Sequence, residues 1–548
     1  MRVMVLGVDG ATWDLLGPWI AAGYLPHLAA LRAKSAWGRL RSTVPPFSAT
    51  AWATFATGMN PGAHGVFDFW TRHAGTRQPI SSRSIGAPAL WELLSQAGRR
   101  VAVINMPVTY PPLPVNGVMI SGMMTPSEDA AYTYPAELKA QLQTVAGAYR
   151  ADPYAAITQS KAFLRDARHW VAQREKAHRW LLDREPWDCF FNVIQAADPI
   201  QHYFWTFLQP GHPDYTAAGG KGFRELALEA FQEIDAVIGQ RVAALAADTT
   251  LLIMSDHGAG EATHWFNLNR WLVAEGFMAL AAGEGPKALA GHLDQGQLFN
   301  LLRRLDFLNL RQRLGNLARQ RLHARVDRLM APAIDWARTR AYAGSPSAEA
   351  IYINLTGREP AGTVAAGGEY ERVRSEIVER LLALRGPDGR PVVAAVHRRE
   401  ALYHGRYLDQ APDLVLEIGQ RPYILSENLS ARQIFTPIPA QAARGRHRPD
   451  GILLAYGPAV TAAGERPPAQ IADLAPTILA LLGLPAPAEM DGRVLSDWVD
   501  IGPIDASVAR PRTDALPSTG SPPTPPADYA AEDVAAIKAR LRALGYLD

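Results

Sequence analysis

Apolar runs of strand length recur along the chain, each bounded by polar or turn residues. The first is Arg2 to Val8, which ends in Gly7-Val8-Asp9-Gly10. It reads as a first, central strand. Further runs lie at 100–105, 117–121, 189–195, 249–254 and 452–456. Pieces at 354–360 and 413–418 read as a later sheet region. Between the strands the period becomes helical, at 12–20, 49–57, 88–97, 223–245 and 472–482. Residues 126–185 also read as helical, and Trp170 and Trp180 lie at a spacing typical of core aromatics. An element begins at Trp265, and about 280–340 reads as a helical insertion. Residues 501–528 form a Pro/Ser/Thr-rich linker, and 529–548 an amphipathic terminal helix.

Composition adds bounds rather than a direction. The 548 residues are 48% hydrophobic and 20% charged, enough for a large core and one big domain with insertions. A net charge of +2 gives no global case for specific nucleic-acid binding. Cys189 is the only cysteine, so no intramolecular disulfide forms, and it reads as a small core residue. The N-terminal apolar stretch is too short for a signal peptide, and no run reaches the roughly 18 apolar residues of a membrane span, so a cytoplasmic protein is expected. Charge is uneven in one place. Between Gln297 and Met330, eight arginines face only Asp306 and Asp327, with leucines at helical spacing. That pattern reads as a solvated helical face, or as a contact with an anionic surface.

The chemistry gathers at strand ends, where open α/β sheets place ligands. Asp9 ends the first run, Asp198 follows 189–195, and Ser255-Asp256-His257-Gly258 follows 249–254. An acid there can cap a helix or ligate a metal. Asp256 and His257 together make two-thirds of a metal site. Asp198 and His202 are four apart, and with Pro199 opening a helix both would face one side of its first turn. His447 is expected in a loop beside a sheet, with Arg446 and Arg448 as candidate phosphate contacts. Pro45-Pro46 enforces an extended approach to Ser48 at a helix N-terminus closed by Gly58. Ser48 is there either an N-cap, worth roughly 0.5–2 kcal/mol, or a nucleophile favoured by the helix dipole and free N–H groups. His64, in the turn Asn60 to Gly65, is expected to make structural hydrogen bonds.

Together, Asp9, Ser48, Asp198, His202, Asp256, His257 and His447 offer ligands for two zinc-like ions with open positions. Two ions about 4 Å apart would clamp the attacking and leaving oxygens of a phosphoryl transfer. One of them would also activate the serine.

In this order the motifs resemble the alkaline phosphatase superfamily, within it the type I phosphodiesterase/nucleotide pyrophosphatase branch and its phosphohydrolase and phosphomutase relatives. The likeness rests on Gly7-Val8-Asp9-Gly10, the Pro45 to Gly65 segment, Asp198-x-x-x-His202, Ser255 to Gly258, Gly445 to Gly451, Ala472 to Thr477 and Met490-Asp491-Gly492. It covers roughly residues 1–500, with insertions at about 66–187 and 265–440. It implies an α/β/α sandwich with a mostly parallel central sheet and helical insertions. It also implies two divalent ions, zinc first, with manganese or iron as alternatives. Asp9, Ser48, Asp256 and His257 would hold one, and Asp198, His202 and His447 the other. Ser48 would attack phosphorus in a small-molecule phosphate ester and form a covalent phospho-enzyme, which water would hydrolyse.

Three departures shape this expectation. The family's nucleophile is often threonine; here it is Ser48, with Thr50 as runner-up. Nucleotide pyrophosphatases carry an asparagine shortly after the His-Gly of this segment, and His64-Gly65 is followed instead by Val66-Phe67-Asp68-Phe69. The C/S-x-P-x-R context of sulfatases is absent at Ser48. Phosphodiesterase or related phosphohydrolase is thus the expected activity. The alternatives are a phosphomutase with the same site and a binding protein that kept the fold without turnover.

Overall fold

The computed structural model describes residues 1–73, 76–147, 149–151, 159–217, 219–281, 334–344, 349–440, 442–504 and 529–543. The arginine-rich stretch 297–330, linker residues 505–528 and the terminal 544–548 lie outside the described residues. The chain divides into two compact units: Met1–Glu261 with His397–Ala411 and Ala443–Leu547, and Ala262–Val396 with Pro412–Ala442. No described helix is long and apolar enough to cross a membrane.

The first unit is built on a mixed, mostly parallel sheet. Its middle runs Thr249–Met254, Arg2–Val8, Cys189–Ile194, Val101–Met106 and Gly117–Ser121, all parallel neighbours. Asp450–Tyr456 pairs antiparallel with Thr249–Met254 and carries Ala36–Arg41 on its far side. The unbroken apolar character of Arg2–Val8 has a direct cause. Met4, Leu6 and Val8 enter one core, with Trp19, Phe190 and Phe231, while Val3 and Val5 enter another, with Trp52, Phe55 and Phe191. Helices cover both faces: Trp13–Ala21, Lys161–Arg184 and Gly220–Ala244 on the first, Ser48–Thr57, Leu90–Gln96 and Leu474–Leu481 on the second. This is the expected α/β arrangement.

The helix Ser48–Thr57 lies against the sheet because of Gly7. A Cβ at Gly7 would come within 2.6 Å of Trp52 Cη2 and 3.0 Å of Val193 Cγ2. The helix stops at Gly58, whose φ of 67° carries its N–H back to the Thr54 carbonyl.

The second unit has its own core around Phe266, Trp271, Tyr352 and Ile377. Its strands include His264–Asn267 between Tyr423–Ser426 and Phe435–Pro437, and Ala350–Ile353 between Ala341–Ala343 and Leu414–Glu417. Residues 354–360 depart from the sequence expectation. The strand ends at Ile353, because the Asn354 amide turns inward to the carbonyls of Trp336, Thr339 and Ala361. Only isolated bridges follow, at Leu355 and Thr356. The stretch 126–185 also differs in part: a short strand, Thr133–Tyr134, precedes the helices Leu138–Ala146 and Lys161–Arg184.

Two predictions follow from this packing. Gly7→Ala forces Trp52 or the strand to shift, so it should destabilise the protein by about 1–3 kcal/mol. A urea midpoint equal to wild type would refute the close-approach argument. The second concerns Glu175 and Arg241, a buried ion pair at 2.6 Å between the helices Lys161–Arg184 and Gly220–Ala244. Burial pushes the Glu175 carboxyl from 4.5 up to about 7, against the opposing pull of Arg241 and Arg179. Below pH 4.5 both folded and unfolded chains hold this proton. Between 4.5 and about 7 only the folded chain keeps it, so this group's contribution to stability is lost as pH rises through that window. Glu175→Gln should therefore shrink the fall in unfolding free energy between pH 5 and 8 relative to wild type. An unchanged pH slope would show that Glu175 is not the source.

Candidate active site

Three neighbouring parallel strands end on the same side of the sheet, and each delivers an acid there. Asp9 follows Arg2–Val8, Asp256 follows Thr249–Met254, and Asp198 follows Cys189–Ile194 at the start of the helix Ala197–Leu208. That helix begins two residues before Pro199, with both Asp198 and His202 buried in it. His447 arrives from a separate two-stranded ribbon, where Gly445–Arg448 pairs antiparallel with Gly258–Glu261 and His447 lies opposite Ala259. The loop expected at His447 is thus a strand. Its four residues find backbone partners in Gly258–Glu261, a pairing across about 190 positions that no local pattern announces.

Two groups of ligand atoms result, Asp198/His202/His447 and Asp9/Asp256/His257, all buried. In the first, Asp198 Oδ1 lies 3.2 Å from His202 Nε2 and 3.4 Å from His447 Nε2. In the second, His257 Nε2 lies 3.2 Å from Asp256 Oδ2, 3.7 Å from Asp9 Oδ1 and 3.0 Å from Ser48 Oγ. The stacked rings of His257 and His447, with centroids 3.5 Å apart, join the two groups. Ser48 is fully buried as the first residue of its helix; the N-cap position belongs to Phe47. The capping alternative for Ser48 therefore places it one residue off.

All three imidazoles are oriented alike. Nδ1 faces a backbone carbonyl in each: Gly445 O at 2.9 Å from His202, Gly258 O at 3.0 Å from His257, and Pro46 O at 2.9 Å from His447. A carbonyl only accepts, so Nδ1 carries the proton and the Nε2 lone pair of a neutral ring points into the site. The Nε2 atoms of His202 and His447 then face each other at 3.0 Å. Neither Asp9 oxygen has a hydrogen-bond partner, nor does Asp256 Oδ2.

The electrostatics express the same crowding. Burial pushes the Asp9 carboxyl well above the usual range, and the Asp256 and Asp198 charges add to the push. Burial also raises Asp256, opposed by His257 and reinforced by Asp198. Asp198 resists burial and is held well below the ordinary value by His202 and His447. His202 is in turn raised, because Asp198 outweighs its desolvation. Burial and the neighbouring His257 push His447 down to about 3. Converging lone pairs and carboxylates of this kind fit divalent metal ions, which would supply positive charge there.

The remaining candidates sit as follows. His64 Nδ1 accepts from the Val66 N–H at 3.1 Å, so its Nε2–H donates to Thr54 Oγ1 at 2.9 Å. Burial lowers this ring to about 3, and it serves the turn structurally. Thr50 is buried two positions along the helix from Ser48, about 200° round its axis. Arg446 and Arg448 are buried on the ribbon, where alternation puts them on the face opposite His447. Arg448 packs on Gly260, where a Cβ would meet its Nε at 2.2 Å, and donates to the Glu261 carbonyl.

Three supports escaped the sequence reading. Gly10, at φ 70°, donates its N–H to Asp256 Oδ1, and a Cβ there would stand 3.1 Å from Asp198 Oδ1. Gln201 holds the Gly10 carbonyl at 2.8 Å. Ser255 Oγ donates to Ala11 O and accepts from Ile452 N–H. The glycine after a strand-end acid was a usable signal; the other two depend on long-range contacts.

A buried pair of carboxylate–imidazole groups thus stands at the strand ends of this α/β sheet. Residues 3–450 match the type I phosphodiesterase / nucleotide pyrophosphatase family, and the chain belongs to that family. Similar solved structures include human ectonucleotide pyrophosphatase / phosphodiesterase 5, 15% identical, covering 91% of this chain and 100% of that one at a TM-score of 0.48. The murine protein, in an inactive form in complex with AMP, is 13% identical over 91% and 100% of the two chains at 0.49. Phosphonoacetate hydrolase from Sinorhizobium meliloti 1021, in complex with phosphonoformate, is 17% identical over 87% and 94% at 0.48. No curated protein matches the sequence.

Asp9→Asn removes one of two like charges buried side by side. The metal-free protein should gain roughly 1–3 kcal/mol at pH 8, while zinc should raise the variant's melting temperature less than the wild type's. Equal zinc stabilisation of both proteins would remove Asp9 from the ligand set.

Proposed function

We propose that the protein is a two-metal hydrolase of phosphate esters that works through a covalent phospho-Ser48 intermediate. The observation that carries this reading is the Ser48 hydroxyl at 3.0 Å from His257 Nε2, inside the Asp9/Asp256/His257 group and at the start of a ten-residue helix. Asp9, Asp256, His257 and Ser48 would hold one ion, and Asp198, His202 and His447 the other. Bound there, the ions would offset charge on the phosphoryl oxygens and make serine and water better nucleophiles. A donor set of carboxylates, imidazoles and a hydroxyl suits zinc; manganese and iron suit it less well.

The chain's own residues account for the rest. Ser48 Oγ forms a bond to phosphorus as the ester P–O bond breaks; the serine proton passes to solvent, and the departing alkoxide takes up a proton and leaves as the alcohol. The first-turn N–H groups of its helix point toward the developing negative charge. His447 and His257 keep their Nδ1 protons on backbone carbonyls, so neither ring turns during the reaction. Water then forms a bond to phosphorus as the P–Oγ bond breaks, a proton returns to Ser48 Oγ, and phosphate or a monoester is released. Arg446 and Arg448, on the far face of the ribbon, are proposed to act through the ribbon's shape; Arg448 is engaged by Glu261.

Ser48→Ala should keep its metal and lose turnover by on the order of 10³-fold or more. The assays are elemental analysis beside hydrolysis of p-nitrophenyl phosphate and bis-p-nitrophenyl phosphate. Diester cleavage by wild type assigns a phosphodiesterase, and monoester cleavage alone assigns a phosphatase. Unchanged turnover in Ser48→Ala would dismiss Ser48 as nucleophile.

A further inference from the structure

The strand that carries His447 is only four residues long and pairs with one other strand. Something besides that ladder must hold it against the helix that carries Asp198 and His202. The contact is very close: a Cβ at Gly445 would lie 2.2 Å from the Gln201 carbonyl oxygen. Such proximity keeps its register only if the strand is anchored next to it.

Arg444 is placed to do this. Its backbone N–H donates to the His202 carbonyl at 2.9 Å. Its guanidinium donates to Asp214 Oδ2 at 3.1 Å and approaches Glu261 Oε1 at 3.7 Å. Asp214 belongs to the short helix Pro213–Thr216, which follows the His202 helix, and Glu261 ends the ribbon's other strand. His212 closes the ring. Its Nδ1 accepts from the Asp214 N–H at 3.0 Å, which leaves Nε2–H directed at Glu261 Oε1 at 3.4 Å. Arg444 thus ties the His447 strand to the His202 helix by its backbone N–H, and to the Pro213–Thr216 helix and the ribbon's other strand by its guanidinium, while none of its atoms is a ligand.

We propose that Arg444 is a positioning residue that fixes the second metal group by pinning the His447 strand to the His202 helix through Asp214 and Glu261. The Asp9/Asp256/His257 group depends on the ribbon less, since Asp9 and Asp256 come from the ends of strands in the large sheet. The inference rests on the two-metal reading above.

The test is release of zinc from the full-length protein to a competing chelator, followed with a metal-sensitive dye. Wild type should hold two equivalents. Arg444→Met should release one of them at about 10–100-fold lower chelator, and it should be the equivalent that His447→Ala abolishes. The other equivalent should shift far less. Arg444→Lys, which keeps a single donor for Asp214, should fall between the two. If Arg444→Met fails to fold, Arg444→Lys and Asp214→Asn carry the comparison, each loosening the same equivalent. Two equivalents held as tightly as in wild type would overturn the positioning role while leaving the two-metal reading intact. Both equivalents loosening together, in step with a lower melting temperature, would overturn it too, since that marks a general structural loss. A wild-type protein that binds fewer than two zinc ions overturns the two-metal reading and this inference with it.

Discussion

Six side chains at the end of one sheet bury their electron pairs toward each other, and the rest of the first unit is arranged around that cost. Buried carboxylates and imidazole lone pairs repel unless protons or cations stand between them. The fold limits the proton option: each ring proton is already committed to a carbonyl, of Gly445, Gly258 or Pro46. The orphaned oxygens of Asp9 and Asp256 carry the same implication from the carboxylate side. Such a centre is unfavourable by itself, and only a well-packed frame can hold it together.

The frame supplies that rigidity in two ways. The acids sit at the ends of strands paired on both sides within the large sheet, with Val8 opposite Ile194 and Gly7 opposite Met254. Their spacing is thus set by the sheet rather than by loops. The second device is the omission of side chains where backbones must touch. Gly7 admits Trp52, Gly10 lets its turn approach Asp198, and Gly445 lets the ribbon lie on Gln201.

Much of the fold was legible because its signals are local. The doubly covered strand at Arg2–Val8 shows in its unbroken apolar run, and the Ser48 helix shows in Pro45-Pro46 before it and Gly58 after it. The strand-end acids stand out for the same reason, being polar residues that follow runs too apolar to be loops. His447 was legible as a candidate but not as a strand residue, since its partner strand is distant in sequence. The end of the strand at Ile353 was hidden likewise, because Asn354 is spent on carbonyls that only the fold brings near. The Nδ1 contacts could not be read at all: every residue offers a carbonyl, and nothing in composition says which one a ring will face.

The His447 ring ties these levels together. Its Nδ1–H holds the Pro46 carbonyl, two residues before Ser48, and its face stacks on His257. The same side chain therefore offers its lone pair to one group while fixing the backbone that presents the hydroxyl of the other. A displaced ribbon would disturb both the Asp198/His202/His447 group and, through Pro46, the approach to Ser48. The two groups are joined by one ring and one loop, so the distance between them is a property of the packing and not of any single element. A phosphoryl group bridging them would require that constancy, because attack and departure occur on opposite sides of one phosphorus atom and a shift at either side breaks the line between them.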